Sequence, residues 1–223
     1  VKGIHLILET KEGESYIDFS IRRMVNAGYA GRDQEEVRRH MEELKKEGVP
    51  IPESTPTLYP VVSDCLSLRD EIEVIGEETS GEVEYVLLIG GNRCFVGVGS
   101  DHTDRELERT DVVRAKQVCP NVMGSKIWLL DEVQDHWDEL IMRSWVQKEG
   151  ERVLYQEATL KAILPPQELM AFVRSRLRDA QLEGMVIFSG TVSLLSPEII
   201  YGDSFEAELE DPVLGRKLSC RYR

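Results

Sequence analysis

Apolar and polar residues alternate along both opening stretches, GIHLILE and SYIDFSI, which flank the turn TKEGE. That pattern predicts a β-hairpin over residues 1–20. Next, NAGYAGRDQEEVRRHMEELKKEG switches to helical spacing: Asp33 caps, Glu36 stands three residues on, and Val37, Met41 and Leu44 form one stripe. The proline-rich VPIPESTPTLYPVV must be extended and is excluded from a central strand. EIEVIG (71–76) and EVEYVLLI (82–89) are β-rich, Gly90-Gly91-Asn92-Arg93 is a turn, and CFVGVGSD returns as a strand. Thr103 or Asp104 caps a short helix over RELERTDVVRAKQ. IWLLDEVQD is expected to be extended, and LIMRSWVQKEGERVLYQ to be a hairpin turning at Glu149-Gly150. Pro165-Pro166 opens a helix, GMVIFSGTVS is a short buried strand, and DSFEAELEDPVLGRKLSCRYR is a final strand pair. Many strands, few helices and no βαβ alternation predict an α+β fold: one domain over 1–223, a mixed β-sandwich roll with a few short helices.

Charge narrows the function classes. With 41 acids against 27 bases the formal net charge is −14, a poor match for nucleic-acid phosphates or an anionic membrane surface. No apolar run reaches spanning length, and the opening VKGIHLILETKEGE lacks the layout of a signal peptide. A cytoplasmic location is therefore expected, as are reduced thiols at Cys65, Cys94, Cys119 and Cys220, none of which form a CxxC pair. The histidines show no HExxH pattern, so a histidine-built zinc site is not expected.

The chemistry concentrates between Thr79 and Arg105. Glu82 and Glu84 are two apart on a strand and so share a face. Two neighbouring carboxylates repel unless a cation or proton lies between them. The returning strand ends at Asp101, back beside them. Three converging carboxylates suit a hard cation such as Mg²⁺, Mn²⁺ or Ca²⁺, while the bland alternative is an E-x-E on a solvated face. His102, next to Asp101, points away if the backbone is extended and acts as an outer donor if it turns.

Six segments in order resemble the fumarylacetoacetate hydrolase superfamily: GRDQEEVRRHMEELKKEG with its proline-rich sequel, GEVEYVLLIGG, SDHTDRE, Lys116 in RAKQVCPN, DHWDELIMRSWVQKEGERVLYQ, and Ser189-Gly190-Thr191 with Gly202-Asp203. The resemblance runs from about Gly28 to the C-terminus. It implies Mg²⁺ or Mn²⁺ on Glu82, Glu84 and Asp101, and a catalytic set of His40, Glu43 and Lys116, with His40 activating water. It implies substrate contacts from Arg105, Tyr59, Gly190 and Thr191, and a lid over residues 31–56. It also implies a small oxo-acid or 1,3-dicarbonyl substrate cleaved at a C–C bond through a metal-stabilised enolate, in a hydrolase or lyase. Relatives are usually homodimers, and Trp128, Trp137 and Trp145 are more aromatic surface than one domain encloses, so a homodimer is expected. The chain departs from the pattern at Tyr59-Pro60-Val61, where the family's aromatic-x-lysine loses its lysine, and at Ser100, where the family has asparagine. A second reading, a non-enzymatic metal-stabilised binding or assembly module, takes its support from that lost lysine.

Overall fold

A computed structural model describes residues 1–46 and 51–223, with the side chains of His40 and Glu43–Lys46 outside the description. The strands are β1 (Lys2–Thr10), β2 (Gly13–Ile21), β3 (Arg23–Gly28), β4 (Thr57–Val61), β5 (Leu66–Ser67), β6 (Thr79–Ser80), β7 (Val83–Gly90), β8 (Arg93–Asp101), β9 (Thr103–Asp104), β10 (Asn121–Met123), β11 (Lys126–Leu129), β12 (Ile141–Lys148), β13 (Glu151–Thr159), β14 (Met185–Phe188), β15 (Ser204–Asp211) and β16 (Arg216–Tyr222). The helices are α1 (Gln34–Lys46), α2 (Arg105–Glu108), α3 (Val112–Val118), α4 (Leu130–Val133) and α5 (Pro166–Arg176).

The main sheet runs β2-β1-β11-β8-β7-β14-β3-β4, with β10 and β5 attached beside β8. It is mixed: β1 lies parallel to β11 and β14 parallel to β3, while the other pairs along this path are antiparallel. A second sheet, β13-β12-β15-β16, covers one face. Alternation along β7 explains the two cores. Val83, Tyr85 and Leu87 face the second sheet and α5, whereas Val86 and Leu88 face the inside of the curl. There they meet Ile4 and Leu6 from one edge and Met24 and Val61 from the other, so the sheet rolls back on itself. Gly99 allows the tight wall of that roll, because a Cβ there would lie 2.5 Å from the Val122 carbonyl oxygen.

Most elements expected from the sequence are present, including the opening hairpin, the Glu149-Gly150 turn and the helix at Pro166. Asp33 accepts hydrogen bonds from the amides of Glu35 and Glu36, as a cap should. Proline-bearing β4 sits at the sheet edge. Four expectations are corrected. EIEVIG is not a strand: the Ile72 amide donates to the Arg223 carbonyl oxygen just past β16, and the chain then runs over the surface, with Ile75 90% exposed. IWLLDEVQD is extended only as far as Leu129 and then turns into α4, whose Leu130 and Val133 are buried. The segment after Asp104 forms two helices, because Asp104 and Asp111 each cap their own. Residues 23–28, not read as a strand, form β3 between β14 and β4. Among the described residues no helix is long and apolar enough to cross a membrane, and all four cysteines are free.

Candidate metal centre

The β7–β8 register places Val83 opposite Ser100 and Glu84 opposite Gly99, and the Asp101 amide donates to the Glu82 carbonyl oxygen at 3.1 Å. Glu82, Glu84 and Asp101 therefore share one face of one hairpin. One oxygen from each lies within 4.8 Å of the others. Glu84 and Asp101 are buried and Glu82 is half-buried.

Each carboxylate has a specific counterpart. Arg105, the first residue of α2, reaches Glu82 Oε1 at 3.1 Å, Glu108 Oε2 at 2.8 Å and, through Nε, Ser80 Oγ at 2.7 Å. The buried Lys116 ammonium on α3 donates to Asp101 Oδ2. The Gly190 amide, at the turn after β14, donates to Glu84 Oε2 at 2.9 Å. Gly190 has a φ of 84°, the left-handed region that glycine favours, and this aims its amide at the site.

The protonation balance follows from these contacts. Burial pushes the Glu84 carboxyl well above its usual range, and the Asp101 charge adds to the push. Burial acts the same way on Glu82, but the Arg105 and Lys116 charges outweigh it and hold that carboxyl low. Burial works against the Lys116 charge, yet Asp101 first, then Glu82 and Glu84, keep the ammonium protonated.

The donor set fits a divalent cation. Four carboxyl groups (Glu82, Glu84, Asp101, Glu108) face two cations (Arg105, Lys116), so the cluster carries one negative charge in excess while Glu84 holds its proton and two once a cation displaces it. Asp101 Oδ1 is buried with no hydrogen-bond partner, the kind of oxygen a bound cation would satisfy. Hard oxygen donors of this type suit Mg²⁺, Mn²⁺ or Ca²⁺.

Glu82, Glu84 and Glu108 line a cavity of about 1420 Å³, and the fully buried Asp101 is not among its lining residues. Tyr59, Arg105, Lys116, Gly190 and Thr191 all line it. The Lys116 ammonium stands 5.6 Å from the centre of the Tyr59 ring, and burial lifts the Tyr59 phenol to about 12. The Arg105 guanidinium is held by Glu82, Glu108 and Ser80. The Thr191 hydroxyl is also taken: it donates to the Val83 carbonyl oxygen at 2.7 Å and accepts from Gln156 Nε2 at 2.7 Å. His102 faces away from the carboxylates, with Nδ1 2.8 Å from the Tyr222 hydroxyl. Burial, then the Arg105 charge, lowers His102 to about 4, which makes it a neutral packing residue. His40 and Glu43 lie on α1, whose Glu36, Val37 and Arg39 line the same cavity, but the side chains of the pair are outside the described residues. Nor is the expected lid over 31–56 described throughout, since residues 47–50 fall within it. Sequence reading missed Gln156, a polar residue on a strand whose partners lie far along the chain.

The curled mixed sheet has the fold of fumarylacetoacetate hydrolase, as the segment resemblance implied. Similar solved structures include Cg1458 with inhibitor (20% identity, 93% of this chain and 79% of that one, TM-score 0.65). They also include 2-keto-3-deoxy-D-arabinonate dehydratase complexed with magnesium and 2,5-dioxopentanoate (14%, 96% and 78%, 0.62). A third is the fumarylacetoacetate hydrolase of psychrophilic Exiguobacterium antarcticum (18%, 92% and 76%, 0.57). The chain belongs to the family DUF2848, described as a protein of unknown function, whose pattern matches residues 27–222. No curated protein matches the sequence.

Proposed function

We propose that this protein is a divalent-metal-dependent hydrolase or lyase acting on a small oxo-acid or 1,3-dicarbonyl. The observation that carries the reading is the convergence of Glu82, Glu84 and Asp101, whose buried Oδ1 has no partner, beside a large cavity that both glutamates line. Glu82, Glu84 and Asp101 would hold Mg²⁺ or Mn²⁺, which would supply a Lewis acid for negative charge on the substrate. The neighbouring dehydratase, complexed with magnesium and a dioxo compound, supports that substrate class.

The chain's own groups account for the rest. Lys116, kept protonated beside Asp101, lies within reach of an oxygen in the cavity and stabilises charge that develops there. Arg105 holds Glu82 in its ionised form. Gly190 fixes the Glu84 carboxylate. His40, oriented by Glu43, takes a proton from water so that the hydroxyl adds to the substrate carbonyl. As the adjacent C–C bond breaks, its electron pair moves onto the departing carbon fragment, which then takes up a proton. Tyr59 and Gly190 border the bound substrate, and two copies of the chain form the working unit.

The test is turnover of a panel of acylpyruvates and 2-oxo acids with and without Mg²⁺ or Mn²⁺. Metal-dependent turnover that disappears in Glu82→Ala, with the circular dichroism spectrum unchanged, is the expected result. Metal binding with no turnover on any member would replace this reading with a metal-stabilised binding module. That outcome would fit Val61, where the family resemblance implies a lysine and the side chain is instead buried in the core.

A further inference from the structure

Where β14 turns away from β7, the backbone of β7 loses its neighbour on that side. β14 pairs with β7 from Ile89 back to Val86, and the last backbone contact is the Ser189 amide on the Tyr85 carbonyl oxygen. The next groups on that side belong to Val83, the residue between Glu82 and Glu84. Its amide donates to Gln156 Oε1 at 3.1 Å, and its carbonyl oxygen accepts from the Thr191 hydroxyl at 2.7 Å.

Gln156 is fully buried on β13, beside the register shift that separates Ser144 from Trp145. All of its side-chain capacity is used. Oε1 also accepts from the Ser144 hydroxyl at 2.9 Å, and Nε2 donates to Thr191 Oγ1 at 2.7 Å and to the Val192 carbonyl oxygen at 2.7 Å. One carboxamide thus ties together the second sheet, the turn that delivers the Gly190 amide, and the peptide carrying two of the three carboxylates.

We propose that Gln156 is a positioning residue for the metal centre: with Thr191 it replaces the missing strand beside Val83 and fixes the spacing of Glu82 and Glu84. This rests on the metal reading given above. Groups that orient ligands from behind typically change metal affinity by about 10–100-fold when removed. A residue that only supported the fold would change melting temperature and leave the affinity of the folded protein alone.

The experiment is Mn²⁺ binding to the full chain, followed by electron paramagnetic resonance of free Mn²⁺, with melting temperature recorded in parallel. Gln156→Leu preserves bulk but leaves the Val83 amide unpaired, and is expected to weaken Mn²⁺ by at least about 10-fold. Thr191→Val is the milder variant should the leucine protein fail to fold. It removes the hydroxyl between Gln156 and Val83 and is expected to weaken Mn²⁺ several-fold, with Thr191→Ser restoring wild-type affinity. Wild-type affinity in the folded Gln156→Leu protein, or in Thr191→Val if that alone folds, overturns the proposal. Failure of the wild-type chain itself to bind Mn²⁺ would instead strike the metal reading, and is seen before any variant is made.

Discussion

Replacing Glu84 by glutamine separates the charge of the metal centre from its shape. The side chain is 1% exposed, and its Oε2 accepts the Gly190 amide, a bond that a glutamine carbonyl oxygen preserves. Burial and the Asp101 charge hold the native carboxyl protonated well above its ordinary value of 4.5. Between that ordinary value and the raised one, the folded chain binds a proton that the unfolded chain has released. Unfolding free energy therefore falls as pH rises through this window, with a limiting slope of about 1.4 kcal/mol per pH unit from this one group. Glutamine cannot titrate, so the metal-free Glu84→Gln protein should match wild type in acid and become progressively more stable than wild type above it. Metal binding should change in the opposite direction. Wild type must release the Glu84 proton to bind Mg²⁺, so its affinity rises with pH. The variant loses a charged ligand, and its affinity should fall by more than the ~100-fold seen when an outer partner is removed. Urea melts of metal-free protein from about pH 5 to about pH 8 measure the first effect. Calorimetric Mg²⁺ titrations in buffers of different ionisation enthalpy measure the second, together with the proton released. An unchanged pH slope in the variant, or wild-type Mg²⁺ affinity with wild-type proton release, would refute the reasoning.

Three further outcomes are expected. Lys116→Met breaks a buried ion pair and leaves Asp101 uncompensated; chemical melts should show a loss of about 3–5 kcal/mol without metal, partly recovered by saturating Mg²⁺. Gly124→Ala would set a Cβ 2.2 Å from the Ser219 carbonyl oxygen, a backbone clash that no side-chain movement relieves; a loss of about 3 kcal/mol or more in urea melts is expected, and a neutral result would contradict the close approach of β16 to this turn. Trp128 and Trp137 are buried, but Trp145 is half-buried, with the Arg152 guanidinium 4.0 Å from its ring centre beside the open edge of β13; light scattering should report twice the 25.4 kDa chain mass, and a monomer at micromolar concentration would rule the dimer out.

The hairpin carrying the metal centre was legible because its signals are local. The apolar run Val86–Ile89, the turn at Gly90-Gly91 and the period of two together determine which residues share a face with Glu84. Segments whose state depends on distant partners were not legible. EIEVIG has strand composition, yet after its Ile72 amide bonds Arg223 beyond the end of β16 it leaves over the surface, which composition cannot foresee. β3 is short, and most of its residues are buried whichever face they point to, so it shows no alternation; it even encloses Asn26. Gln156 read as an ordinary polar strand position, because its partner Val83 is 73 residues away and only the finished fold brings them together. Arg105 and Thr191 line the cavity, and the contacts that tie them to Glu82 and Val83 are likewise tertiary.

The division of the metal centre between near and distant groups also divides the entropy cost of assembling it. Glu82, Glu84 and Asp101 belong to a single hairpin, and hairpins close in about 1–10 μs. Lys116 follows only 15 residues after Asp101. The Gly190 amide, by contrast, lies 106 residues beyond Glu84, and Gln156 lies 73 beyond Val83. Bringing the three acids together therefore closes only a short loop, whereas enclosing them requires contacts spanning 73 and 106 residues, and most of the chain-closure entropy of the centre falls on its enclosing groups rather than on its ligands.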